Sequence, residues 1–442
     1  MKIYTYPSEA ASRQLAAIAG RGVAFDETVF DNVKTILKDV ATRGDAALVA
    51  YANQYDAPDL TVDDLEVTPA EFEAAEASVD AAFMASMNRA AEQIEAFHRK
   101  QLRKSWITMD RPGTLLGQLF NPVETAGIYV PGGTGGDTPL VSTVLMNAIP
   151  ARTAGVDRTV MVTPPRRDGS VHPAMLAAAR RVGVDAVFKV GSAWAVGALA
   201  YGTGHIPRCD VIVGPGNIYV TIAKKIVSGT VGIDMIAGPS EVLVIADDSA
   251  DPEFAAADLL SQAEHDPLSS AVLVTPSPAL AEAVSAAVAR QLEALPRKAI
   301  ALEALDAFGA TFVVTDLAAG FDLANRIAPE HLELLIDAPF EHLGKIRNAG
   351  AVFVGPYTPE PVGDYVAGPN HVLPTAGTAR FSSALSVDNF IKKTSVISYG
   401  EDAFRAEAPD VIRLAETEGL GAHARSVRVR LDKSAPKADP AA

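Results

Sequence analysis

Two kinds of hydrophobic spacing divide the chain. Between residues 24 and 104, apolar positions recur at i, i+3 and i+4 among Ala, Glu and Lys, which predicts helices over 25–47 and 69–101. Thr68-Pro69-Ala70-Glu71 has the order of a helix N-cap, a first-turn proline and an early acid. From about residue 115 the pattern changes. Short apolar runs at 126–130, 158–162, 186–190 and 210–213 end in Gly or Pro, and helical spacing follows them. The same unit returns at 241–246, 270–274, 311–314, 332–336 and 350–354, with a helix expected over 252–265. Continuous apolar strands that alternate with helices imply parallel sheets covered on both faces.

The expected fold is therefore α/β, with two doubly wound, incomplete Rossmann-like lobes, a helical N-terminal region and an extended C-terminal tail. The reading divides the chain into an arm (1–22), a catalytic lobe (23–120 plus 236–377), a dinucleotide-type lobe (121–235) and a tail (378–442). Residues 427–431 alternate like an edge strand, and 433–442 have the composition of a disordered end. No internal repeat stands out.

Composition narrows the functional classes. The 442 residues carry 38 Lys+Arg against 54 Asp+Glu, a net charge of −16, which argues against nucleic acid or an anionic membrane as partner. Cys209 is the single cysteine, so an intrachain disulfide and a Cys-rich zinc module are both excluded. Any metal site must use His, Asp, Glu or amide oxygens. The N-terminus has no signal-peptide pattern, and the uncharged run 190–207 is broken by glycines, so a cytoplasmic protein is expected.

Four clusters hold residues suited to chemistry. Gln262 and His265 are three apart at a helix end, which puts both on one face while Glu264 points elsewhere. Glu330-His331 sits at a loop–strand junction, where an acid and an imidazole can divide two proton transfers. Asp364 and His371 fall in a Gly- and Pro-rich stretch after a strand, where α/β sites usually form. Glu418 and His423 flank glycines in the tail. Gln262, His265, Asp364 and His423 would make an N/O set that suits zinc. Spacing alone leaves each cluster equally readable as a polar helix end, a surface loop or an Asx turn. The glycine loops at 131–136, 191 and 214–216 can admit a phosphate, although none is a clean G-x-G-x-x-G.

Taken together, these blocks resemble the histidinol dehydrogenase family. The likeness runs from about residue 20 to 431 and rests on 126–133, 214–217, 237–247, 259–265, 328–334, 367–375, 378–383 and 414–426. It implies oxidation of L-histidinol to L-histidine through the aldehyde, with two NAD⁺ and one water, as the last step of histidine biosynthesis. It implies one zinc ion per subunit, held by Gln262, His265, Asp364 and His423. His331 matches the base for alcohol oxidation, and Glu330 matches the residue that activates water. Ser240, His331, His371 and Glu418 match substrate contacts, with the zinc ligands beside them. Tyr129 and Asn217 match NAD contacts. Trp194 stands where the family usually has a glutamine against NAD, and a flat indole can stack there instead. The resemblance also implies a homodimer in which Glu418 and His423 serve the partner's site. Three other readings are weighed, of which a non-catalytic binding protein would leave Glu330-His331 and the four possible ligands unexplained. A paralogous zinc- and NAD-dependent polyol (sulfopropanediol) dehydrogenase would keep the metal set, but Glu330 beside His331 and Glu418 favour the histidinol enzyme. A zinc hydrolase would have no use for the glycine loops.

Overall fold

The computed structural model describes residues 1–21, 27–132 and 139–433. The glycine loop at 133–136 and the end beyond 433 lie outside them. The described chain falls into two units: residues 1–102 with 123–390, and residues 103–122 with 391 onward.

The larger unit holds two parallel sheets. The first has the order β6 (Ala186–Lys189), β5 (Arg158–Thr163), β4 (Thr125–Tyr129), β7 (Val211–Val213), β8 (Gly232–Ile233). The second has the order β1 (Ile3–Thr5), β11 (Ala310–Val313), β10 (Ser270–Thr275), β9 (Glu241–Ala246), β12 (His331–Leu335), β13 (Ala351–Val354). Renumbered from its own first βα unit, each sheet reads 3-2-1-4-5, and β1 extends the second beside β11. This is the doubly wound order, with a switch point between β4 and β7 in one sheet and between β9 and β12 in the other. The same architecture thus occurs twice without a repeat visible in the sequence. β4 and β9 are buried at nearly every position, as central parallel strands must be.

The N-terminal region is placed differently from the sequence reading. Residues 1–21 of the expected arm (1–22) join the second sheet: β1 pairs with β11, and helix Glu9–Gly20 packs beside it. The helices that follow cover the five-stranded sheet, whereas the reading grouped them with residues 236–377. Val33, Leu37 and Val40 of helix Glu27–Arg43 share a core with Val160, Phe188 and Ala195. Ala90, Ala91 and Ile94 of helix Ala81–His98 pack against Ile128 and Val144. Amphipathic stripes go where a sheet face is uncovered, and sequence order does not say which face that is. The two long helical stretches are also each broken. Gly44 (φ +56°) separates Glu27–Arg43 from Asp45–Tyr55, and Asp80 caps Ala81–His98 by accepting from the Phe83 amide at 2.8 Å.

The smaller unit is an antiparallel sheet with two helices. β3 (Thr114–Pro122) lies between β2 (Trp106–Thr108) and β14 (Ile391–Tyr399). Residues 427–431, expected as an edge strand, are helical within Gly421–Lys433, which packs on helix Glu401–Thr417. The alternation of Val427, Val429 and Leu431 covers only five residues, and the buried Ala424 ties the helix down one turn earlier.

Candidate functional site

The two switch points use opposite ends of their strands. In the five-stranded sheet, Tyr129 ends β4 and Gly214 follows β7, so the glycine turn lies at the carboxyl edge. A Cβ on Gly214 (φ +116°) would lie 2.1 Å from the Tyr129 carbonyl oxygen, so only glycine lets these two strands diverge there. The Gly214 peptide groups are clamped: its N–H donates to Asp234 Oδ2 at 2.8 Å, and its carbonyl accepts from Lys224 Nζ at 2.9 Å. Lys224 and Asp234 are themselves a fully buried ion pair. Asn217 caps the following helix Ile218–Val227 by accepting from the Tyr219 and Val220 amides at 3.1 and 3.2 Å. The buried Tyr129 hydroxyl accepts from the Ser192 N–H at 3.0 Å. Trp194 is buried with its ring stacked near Tyr51 and Tyr55, centroids 5.4 and 5.7 Å away.

In the six-stranded sheet the chemistry gathers at the amino edge, at the strand start expected for Glu330-His331 and not at the carboxyl end expected for Asp364 and His371. Strand β12 begins at His331 and β9 at Glu241, and the register His331↔Val242 sets Glu330 beside Glu241. Helix Pro252–Ala263 runs back from the end of β9, which returns Gln262 and His265 to the starting edge. Helix Glu360–Tyr365 brings Glu360 and Asp364 to the same place. Gly363 allows this, because a Cβ there would lie 2.6 Å from the Phe353 ring of β13.

The resulting pocket is rich in unsatisfied polar groups. His331 Nε2, His371 Nε2 and both side-chain atoms of Gln262 are buried without a hydrogen-bond partner. A ring nitrogen of His331 and carboxylate oxygens of Glu360 and Asp364 lie within 4.8 Å of one another. Orphaned donors and acceptors at this density fit an absent ligand that would satisfy them. His331 Nδ1 lies 2.8 Å from the Glu241 carbonyl oxygen, which can only accept. The Nδ1 position therefore carries the proton, and in the neutral ring Nε2 is the free base. Burial pushes the His331 pKa down to about 4, so the ring is neutral at physiological pH. Burial, then the neighbouring Glu241 charge, raises Glu330 well above the ordinary carboxyl range. Burial and Asp364 push Glu360 up to about 9, and the nearby Gln262 amide opposes the shift. A divalent cation bound there would act on the carboxyls in the opposite direction.

Of the residues singled out from sequence, Gln262, His265, Glu330, His331, Asp364 and His371 lie in one electrostatic neighbourhood: the charges of Asp364, His265 and His371 all act on His331, and that of Asp364 on Glu330. His265 is exposed at the pocket's rim and Gln262 is buried. Ser240 immediately precedes β9, and its carbonyl accepts from the Ser270 N–H at 3.0 Å. Glu418 and His423 are exposed and belong to the smaller unit. Glu360, Glu333 and Asp258 escaped the sequence reading. All three are buried; Glu333 Oε1 accepts from the Glu360 N–H at 3.1 Å, and burial, then Asp258, raises the Glu333 pKa well above its ordinary range. Nothing in the sequence separates such an acid from a solvated one.

Two doubly wound sheets, one with a glycine turn at its switch point and one with a buried imidazole–carboxylate cluster that could hold a metal ion, have the architecture of an α/β enzyme. Comparison with known proteins makes this specific. The family model described as histidinol dehydrogenase matches residues 20–431. Histidinol dehydrogenase of Carboxydothermus hydrogenoformans is 54% identical over 93% of this chain and 96% of its own. That of Desulfotalea psychrophila is 54% identical over 90% and 92%. The crystal structure of histidinol dehydrogenase from Elizabethkingia anophelis covers 98% of both chains at 40% identity, with a TM-score of 0.91. The chain belongs to the histidinol dehydrogenase family, and it is an oxidoreductase.

Proposed function

We propose that this protein oxidises L-histidinol to L-histidine in two successive NAD-dependent steps at one zinc-containing site. The observation that carries the reading is the buried pair Glu330–His331, with its free Nε2, beside unsatisfied ligand atoms. Gln262, His265, Asp364 and His423 would hold the zinc, and Glu360 lines the same pocket. Zinc would supply a fixed positive charge that anchors the substrate amine and imidazole, and NAD⁺ would accept each hydride. Tyr129, Trp194 and Asn217 would contact that dinucleotide at the carboxyl edge of the five-stranded sheet. Ser240, His371 and Glu418 would contact substrate.

His331 takes the hydroxyl proton through Nε2 as the alcohol loses its hydride. Glu330 then takes a proton from water as the water oxygen bonds to the aldehyde carbon and His331 returns its proton to the aldehyde oxygen, and the freed His331 takes a hydroxyl proton of the hydrate as the second hydride leaves. Each hydride carries two electrons, so one alcohol consumes two NAD⁺ and one water. Retaining the aldehyde between steps requires a closed site, and Glu330 and His331 are each less than a tenth exposed. The reading includes a cytoplasmic homodimer whose tails complete each other's sites. Among the described residues no helix is long and apolar enough to cross a membrane.

The test is NADH absorbance with L-histidinol and NAD⁺, with and without a chelator. Two NADH per histidinol, lost on chelation and restored by zinc, is the expected result. No NADH from histidinol, with turnover of another polyol, would overturn it in favour of a paralogous dehydrogenase.

A further inference from the structure

Arg21 and Glu241 take part in neither proton step, yet both functional side chains are anchored on them. Glu241 and Glu330 clasp each other: Glu330 Oε2 accepts the Glu241 N–H at 2.9 Å, and Glu241 Oε2 accepts the Glu330 N–H at 3.2 Å. The other oxygen, Glu241 Oε1, accepts the Ala376 N–H at 2.9 Å and pairs with the Arg21 guanidinium. The Glu241 carbonyl holds His331 Nδ1. The Arg21 and Glu241 side chains are 1% and 7% exposed. Arg21 also donates to the Ile18 carbonyl at 2.8 Å, which ties the arrangement to the end of helix Glu9–Gly20.

We propose that Glu241, held by Arg21, is a positioning residue that sets the Glu330 carboxylate for water activation, while the Glu241 main chain separately orients His331. The proposal rests on the histidinol dehydrogenase reading. Its consequence is an asymmetry between the two oxidations. Three donors converge on the two Glu241 oxygens, and the amide of Glu241→Gln offers one acceptor where two are needed. One donor is then left buried and unpaired, and Glu330 shifts. The carbonyl that holds His331 is untouched. Aldehyde oxidation, which needs Glu330, should suffer far more than alcohol oxidation, which needs His331.

The experiment measures both half-reactions separately, starting from histidinol and from histidinal. For Glu241→Gln the expected result is a fall in aldehyde-oxidation kcat of about 10–100-fold, the range for lost supporting hydrogen bonds. The KM values and the alcohol step should hold within about threefold. A second variant guards against misfolding. Beside the pair is a cavity of about 290 Å³, lined by Arg21, Glu241, Arg326, Arg380 and Ala376. Arg21→Ala should lose the aldehyde step in the same selective way and regain it when guanidinium is added, and Arg21→Lys should be intermediate. Equal loss in both half-reactions, no loss, or no rescue by guanidinium overturns the proposal. A parent protein that oxidises neither histidinol nor histidinal overturns the functional reading and this proposal with it.

Discussion

At the residue scale, Asp56 is where the fold works against a charge. It closes the C-terminus of helix Asp45–Tyr55, where the helix dipole disfavours an anion, and its Oδ2 is buried without a partner. Burial pushes its pKa up to about 6. A carboxyl whose folded pKa is raised keeps its full contribution to stability below the unfolded value and loses it as pH climbs to the folded one. Stability should therefore fall between roughly pH 4 and pH 6 and stay lower above that. Asp56→Asn removes the charge at nearly constant shape. It should match the parent near pH 4 and exceed it at pH 8 by up to about 3 kcal/mol. Thermal unfolding at the two pH values checks this, and an equal effect at both would refute it. Trp194 gives a second residue-scale prediction. If it contacts the dinucleotide, Trp194→Gln should change the KM for NAD⁺ and leave that for histidinol in place. An unchanged NAD⁺ KM would leave the Tyr51–Trp194–Tyr55 stack as packing alone.

At the scale of elements, the turn after β7 depends on a buried ion pair as well as on Gly214. Lys224 and Asp234 neutralise each other and also satisfy both peptide groups of Gly214. Lys224→Met would strand a buried carboxylate, at a cost of about 3–5 kcal/mol. The prediction is a large fall in Tm together with a raised KM for NAD⁺, because the Asn217 cap begins three residues on; a Tm within two degrees of the parent would contradict it. Elements also show where the sequence could be read. The central strands were legible to within a residue or two, since a Val- and Ile-rich run closed by Gly or Pro has few other uses. The antiparallel sheet was not legible, because β14 (IKKTSVISY) is half polar and mostly exposed. In the site, Gln262, Glu330, His331 and Asp364 came from spacing and resemblance. Glu241, Glu333 and Glu360 did not, because their burial exists only once strands β9 and β12, 89 residues apart, lie side by side and a helix 27 residues further on packs beside β12.

For the whole molecule, the proposed homodimer and zinc site predict which subunit supplies His423. The proposed ligands divide between the two units, with Gln262, His265 and Asp364 in one and His423 in the other. Subunit mixing separates exchange from self-supply. His265→Asn and His423→Asn should each be inactive alone, with a circular-dichroism spectrum close to the parent's, because both side chains are exposed. When the two variants are unfolded together, refolded with zinc and allowed to pair at random, half of the dimers carry one of each. If the tails exchange, one site in each such dimer combines both defects and the other combines none. Activity should then return to about a quarter of the parent's, as closed two-fold pairing requires. If each tail serves its own subunit, every site keeps one defect and the mixture stays inactive. Recovery near a quarter would establish that each site draws on both chains, and a flat mixture, with the parent refolding to full activity alongside, would place His423 with its own subunit.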